Sequence, residues 1–284
     1  MKAVRRVAWT VLALALLVSL APSWVALYPA AEQHRDYPYA APGVYGDAHL
    51  KWLAHGRVLS VEGSGGMFPL GTDEFGRDLY SRICYGASLS LLLAPAAVIF
   101  SLSLAMLLGT WAGYRLGWVD ALVTKASEVF LALPWFYFVV ALRAALPLRM
   151  SPQTAALTLF GLLGGLGWAA PARLFRGLTL RLMTEDFVQA ARALGARPSR
   201  VVMVHLLPAL LPAARAQLLL SLPAYILTEV NLSFLGLGIT DPTPTLGNLL
   251  TPLQQYSVLT SYPWMLSPAA VIVVVFLALH TIAG

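Results

Sequence analysis

Six apolar runs, each long enough to cross a lipid bilayer as a helix, constrain this chain more than any other feature of it. They lie near Val7–Tyr28, Ser88–Tyr114, Val129–Pro147, Thr154–Ala172, Ala209–Leu232 and Trp264–Gly284. A hydrocarbon core takes about 20 helical residues at roughly 1.5 Å each. Backbone that enters lipid must hydrogen-bond to itself, and runs of this length do so as helices. The expected fold class is therefore all-α and integral to the membrane, with six transmembrane helices. Pro95, Pro134, Pro171 and Pro223 fall in or near these runs and predict kinks. Composition agrees: 58% of residues are apolar and 11% charged, where a soluble domain carries about a quarter charged.

Charge placement orients the helices. The net charge of +6 comes from Lys and Arg beside apolar runs and not along one polar face, so membrane lipid, and not nucleic acid, is the expected contact. Lys2, Arg5 and Arg6 hold the N-terminus in the cytoplasm. The run behind them, about 22 residues, exceeds the 7 to 15 of a secretory signal's apolar core, so residues 1–28 are read as a tip and an uncleaved anchor. Subsequent crossings return residues 173–208 to the cytoplasm with Arg173, Arg176, Arg181, Arg192, Arg197 and Arg200, as the positive-inside rule requires. Residues 29–87 then face the periplasm, carry most of the acidic residues, and are either an ordered cap or a substrate-contacting segment. Residues 88–284 form the core, with five crossings. His34, His49 and His55 match no ligand spacing and read as solvated loop residues, and the lone Cys84 forms no internal disulfide, so no metal site is expected.

The cytoplasmic segment reads as a helix-turn-helix. Glu185 and Asp186 suit a helix N-terminus, where negative charge is favourable, and Phe187–Leu194 is a good helix former. Ala190, Ala191 and Leu194 fall on one face, where small residues let another surface approach the backbone. Gly195 supplies a positive φ that ends the helix, Pro198 suits a following first turn, and Pro208 marks a turn into the fifth crossing. Ionisable residues at membrane depth are functional hypotheses by default. Arg143 lies near a helix end and is expected to snorkel; Glu128 is expected at the inner interface, and His280 lies in the last run. Glu229, with Asn231 nearby, either lines a passage or braces the Ser233–Gly238 turn. Gly161, Gly164, Gly165 and Gly167 form a small-residue face expected to pack closely on another helix.

Five passages in order carry a family resemblance. They are Pro69-Leu70-Gly71-Thr72-Asp73 with Gly76-Arg77-Asp78, Glu128–Pro134, Trp168 with Ala172-Arg173 and Arg176-Gly177, Gln189-Ala190-Ala191 with Gly195 and Leu207-Pro208, and Leu232–Gly238 with Pro242-Thr243-Pro244 and Gly247-Asn248. They span about two thirds of the chain, and the sequence resembles the permease subunits of binding-protein-dependent ATP-binding-cassette importers, in their dipeptide and oligopeptide branch. The resemblance implies a type I importer permease fold in the inner membrane, with a cytoplasmic coupling helix. It makes Gln189, Ala190, Ala191, Leu194, Gly195, Leu207 and Pro208 the contact with an ATPase. It further implies a homologous second permease, two ATP-binding subunits that hold ATP and Mg, and an extracytoplasmic binding protein delivering short peptides. Gln189 stands where the family often has Glu, His205 where Ile is common, and Pro171 where an aromatic is frequent.

No phosphate-cradling Gly-x-x-x-x-Gly-Lys-Ser/Thr occurs, and neither Gly-x-Ser-x-Gly nor His-Glu-x-x-His is present. The chain therefore reads as a non-catalytic subunit with no catalytic residue and no cofactor of its own. Importers carrying nickel, glutathione-like or other small solutes share the motifs. A membrane-embedded enzyme would need polar residues converging at one depth, and a channel or scaffold would need no docking helix.

Overall fold

The computed structural model of the chain describes residues 2–52, 59–147 and 150–283. Helix α1 (Lys2–Leu20) ends eight residues before the expected Tyr28, because Ala21 precedes Pro22 and leaves the helical region, with φ −142° and ψ 63°. A turn, α2 (Pro22–Val25), follows. The next segment, which shows no sustained period in sequence, contains two antiparallel hairpins: β1 (Gly43–Tyr45) pairs with β4 (Gly66–Phe68), and β2 (His49–Trp52) with β3 (Leu59–Glu62). Strands of three and four residues are too short for a periodicity to be read from sequence.

Helix α3 (Leu79–Arg115) starts nine residues before the expected Ser88 and passes through Pro95 unbroken. At roughly 1.5 Å per residue its 37 residues exceed a hydrocarbon core of about 30 Å, so part of it stands outside lipid. The third crossing departs from expectation most. Instead of one helix over Val129–Pro147, α4 (Gly117–Ala132) and α5 (Trp135–Ala144) meet at 84° across Leu133 and Pro134. Pro134 removes a donor and forces Leu133 into extended backbone at ψ 133°, which ends α4.

Helices α6 (Pro152–Leu166) and α7 (Ala169–Leu182) carry the fourth crossing ten residues beyond the expected Ala172. After α8 (Asp186–Ala193) and the single turn α9 (Pro198–Arg200), α10 (Leu207–Phe234) forms the fifth crossing. The expected turn at Pro208 is absent. The chain instead widens into a π-type stretch over Val201–Leu206, closed by Leu207 N–H to the Val202 carbonyl. One extra residue in the turn accommodates a proline that cannot donate, and the helix runs on. A short α11 (Tyr256–Ser261) precedes α12 (Ser267–Ala283). Among the described residues five helical stretches are long and apolar enough to cross a membrane, six when α4 and α5 count as one bent span.

The helices sort into two compact units. One combines the described residues up to Ala94 with those from 147 to 157 and from Ile226 onward; the other holds Pro95–Leu146 and Thr158–Tyr225. In the first unit α1 packs along α12, and an aromatic cluster of Tyr28, Tyr37, Tyr45 and Phe68 fills the base of the β1–β4 hairpin. His34 belongs to this cluster and is not solvated: its ring stands edge-on to Tyr28 at 4.6 Å and to Phe68 at 5.1 Å, and this burial lowers its pKa. His49 is exposed, and His55 lies outside the described residues. No metal-competent group of His, Cys, Asp and Glu occurs among the described residues.

In the second unit α4 packs on α7, where Arg176 clamps Asp120 with both Nε and Nη2, the latter at 2.6 Å. Close helix contact comes from a pair of glycines on α3. A side chain on Gly109 would strike the Ala172 carbonyl, and one on Gly113 would come within 2.9 Å of the Arg176 carbonyl and Thr179 Cβ. Of the expected small-residue face, Gly164 and Gly167 do abut neighbours, Ala97 and Tyr225 respectively, whereas Gly161 and Gly165 face open space. Arg143 is 1% exposed and fully buried; it does not snorkel. Glu128 pairs with Lys125 at 3.0 Å on the surface, and His280 is exposed on α12.

Replacing Gly113 by Val should overpack the α3–α7 contact, cost about 1–3 kcal/mol and lower the melting temperature of the detergent-purified protein. Gly161→Ala, with nothing to strike, should leave it within about 0.5 kcal/mol of the parent.

Candidate functional site

Three arrangements of polar and exposed groups stand out, and each is built by a helix end. The first is the α8 loop. Helix α7 closes with Thr184 N–H and Oγ1–H both donating to the Arg181 carbonyl. Glu185 is extended and caps α8 through its backbone carbonyl, which accepts from Val188 and Gln189; its carboxylate makes no capping bond. At the other end the Ala196 N–H bonds to the Ala191 carbonyl and the Gly195 N–H to the Arg192 carbonyl, with Gly195 at φ +76°. This pair of bonds satisfies the last carbonyls of α8 and requires the left-handed residue that the sequence places there.

A single side chain anchors this helix. Val188 is fully buried against Val201, Val202 and Leu206, with Leu182, Met183, Trp111 and Tyr114 around them. Its burial contributes about 2 kcal/mol. Phe187, Ala190 and Leu194 face outward, Leu194 87% exposed, and Ala191 is half-buried. Together with Arg197, Arg200 and His205 they line an open concavity of about 900 Å3. Gln189 is exposed and bonds back to its own loop: its Nε2 donates to the Met183 carbonyl at 2.7 Å. A glutamate there could not donate that bond, which gives Gln189 a local reason in place of a charge contact. Leu207 packs at the edge of the Val188 cluster, and Pro208 is exposed in the continuous helix and is not a corner.

The second arrangement surrounds Glu229, which is completely buried. Ser90 Oγ–H donates to its Oε2 at 3.0 Å and Ser233 Oγ–H to its Oε1 at 2.9 Å; the Thr245 hydroxyl is a third partner. The Leu246 N–H reaches Ser90 Oγ at 3.3 Å. These bonds join α3, α10 and the loop after it, so the carboxyl braces the turn and does not face open space. Asn231, two residues on, is exposed on another side of α10, and the structure does not bring the pair together. Helix α10 ends as α8 does, with Leu237 N–H on the Leu232 carbonyl, Gly236 N–H on the Ser233 carbonyl, and Gly236 at φ +74°.

The third arrangement was not legible in sequence. Asp73, Arg77 and Arg82, all at most 6% exposed, meet Asp241 from the loop after α10. Arg77 Nε donates to Asp73 Oδ2 at 2.6 Å and Arg77 Nη1 to Asp241 Oδ1 at 3.2 Å, and Arg82 Nη2 reaches the same Oδ1 at 2.6 Å. Spacing reveals the Asp73–Arg77 pair but not a partner some 160 residues away. Beside this quartet, Asp78 starts α3, its Oδ2 accepting from Ser81 N–H at 2.8 Å and Ser81 Oγ–H at 2.6 Å. Burial pushes its carboxyl up to about 6 despite those bonds.

Residues 105–283 match the family described as the inner membrane component of binding-protein-dependent transport systems. The chain belongs to that family. Its relatives include the di/tripeptide transport system permease protein DppC of Pseudomonas aeruginosa, 34% identical over 86% of this chain and 73% of the relative. The oligopeptide permease protein OppC of Bacillus subtilis is 32% identical over 69% of this chain and 62% of that protein. The dipeptide permease protein DppC of B. subtilis is 34% identical over 62% and 53%. The chain thus spans between about half and three quarters of the length of these permeases. Helix α8 and Glu229 fall within the matched region, Asp73, Arg77 and Arg82 precede it, and the chain is a multi-pass membrane transport component.

Because the Asp78 carboxyl is raised in the folded state, the native protein binds the extra proton between the unfolded value near 3.8 and about 6, so its stability falls as pH rises through that window. Asp78→Asn keeps the capping oxygen and removes the proton. Its melting temperature, measured from pH 4 to 7, should show a shallower decline than the parent's.

Proposed function

We propose that this chain is one of two permease subunits in an ATP-driven importer that carries di- and oligopeptides across the inner membrane by alternating access. In this reading the N-terminus and α8 lie in the cytoplasm and the hairpin segment lies outside. A homologous permease completes the passage, two ATPase subunits hold ATP and Mg, and an extracytoplasmic binding protein delivers the peptide. The names of the relatives support the cargo class.

The observation that carries the reading is the construction of α8. A two-turn helix held by one buried valine, closed by its own backbone bonds at the Gly195 end, and exposing Phe187, Ala190 and Leu194 is poorly explained by folding alone. Exposed apolar groups beside a concavity suit a partner surface. Residues Ala190, Ala191, Leu194 and Gly195 would lie against an ATPase subunit, and Gln189 would set the tilt of α8 by its bond to Met183. Leu207 and Pro208 would act one step removed: the π-type stretch makes α8 and the fifth crossing a single mechanical piece, so displacement of the loop reaches the bilayer helix. Glu229 would serve that piece as a brace.

In the assembled complex, Ala191→Cys should cross-link to a cysteine on the ATPase surface; absence of any ATPase adduct across a scan of that surface would remove the docking role. Gly195→Val should leave the complex assembled while ATP hydrolysis no longer scales with peptide uptake, since a β-branched residue at positive φ costs about 1–2 kcal/mol and re-aims the loop. Gly195→Asn should retain much of the coupling. Uptake per ATP in proteoliposomes measures both.

A further inference from the structure

The ion quartet holds more donors than its acids use. Two guanidinium groups present ten N–H bonds, and both of those facing Asp241 fall on one oxygen, Oδ1. Arg82 Nε makes no hydrogen bond although buried, with Asp73 Oδ2 the nearest acid at 3.5 Å. The side chain of Asp241 is 52% exposed, whereas those of Arg77 and Arg82 are 7% and 3% exposed. Two buried cations are therefore closed by one buried and one exposed carboxylate. Adjacent to them is a cavity of about 150 Å3, lined also by Glu74, Asn248, Thr251 and Gln255. That volume holds roughly one benzene-sized group.

We propose that Arg77 and Arg82 form a carboxylate receptor on the face assigned to the outside, that Asp241 fills it at rest, and that the C-terminal carboxylate of an incoming peptide displaces Asp241. The exchange conserves charge: Arg77 and Arg82 against Asp73 and Asp241 are neutral, and remain so when one carboxylate replaces another. A free carboxylate can take both guanidinium groups with two oxygens, where Asp241 uses one, and two-point charge-assisted contacts are the stronger and more directional. Release of Asp241 also has a route into the fold. Its loop is stapled by Asn248 Nδ2, which donates to the Ile239 and Thr243 carbonyls, and is joined through Leu246 and Ser90 to the Glu229 brace on α10. Arrival of cargo at the quartet would thus loosen the outer end of the fifth crossing.

The inference rests on the peptide-importer reading, and the test separates the two. Thr251→Cys places a thiol at the cavity, and the one native cysteine, Cys84, is buried. In the permease–ATPase complex in nanodiscs without binding protein, trialanine should slow maleimide labelling of that thiol about fivefold or more, and trialanine amide should not. Adding Asp241→Asn, an exposed change that removes the resident carboxylate, should lower the protective trialanine concentration about tenfold. Equal protection by acid and amide, no protection by either, or no effect of Asp241→Asn overturns the receptor. ATP-dependent trialanine uptake by the unmodified complex with its binding protein is measured alongside. Uptake without acid-selective protection overturns the receptor alone, and no peptide uptake overturns the importer reading together with it.

Discussion

Every helix end leaves backbone N–H and C=O groups without intrahelical partners, and in hydrocarbon no water can supply them, so this chain closes its helix ends largely with its own groups. The structure meets that constraint with few devices. Gly195 and Gly236, at opposite ends of the stretch that carries the fifth crossing, close α8 and α10 with the same two backbone bonds. Asp78 starts α3 with two bonds from Ser81, and a π-type widening absorbs Pro208. The groups that remain for function lie at these same closures. The α8 face hangs from the Gly195 turn, the Glu229 brace backs the Gly236 turn, and the ion quartet is formed where α3 begins.

Much of this was legible because it depends on local chemistry. Six apolar runs located the crossings, and Gly195 after an alanine-rich octet located the end of α8 and its positive φ. Glu229 draws notice in sequence as a lone acid in an apolar run, and its partners Ser90 and Ser233 come from α3 and from one turn further along α10. What was not legible depends on partners distant in sequence. Asp241 completes a quartet begun some 160 residues earlier, Asp120 meets Arg176 across two helices, and His34 is half-buried against Tyr28 and Phe68.

Proline and glycine show where local rules run out. Pro134 and Pro208 both deny a helix one donor, yet α4 breaks and bends by 84° at the first, whereas the second is carried through a widened turn. The difference lies in whether the surrounding helix can take up an extra residue, which Val201, Val202 and Leu206 make favourable by packing on Val188. Gly109 and Gly113 stand four apart on α3, a spacing that signals close helix approach. In the glycine-rich stretch of α6, by contrast, Gly161 and Gly165 face open space.

These parts form one mechanical proposal: a short helix pinned by Val188 moves as a unit with the fifth crossing, and a separate motor grips its outward face. Hydrogen–deuterium exchange tests this most directly. Amides from Phe187 to Gly195 should exchange fast in the isolated permease, because one buried side chain holds them, and should slow markedly in the presence of the ATPase subunits, with little change in the hairpin segment. Unchanged exchange over Phe187–Gly195 in a complex that hydrolyses ATP would contradict the account.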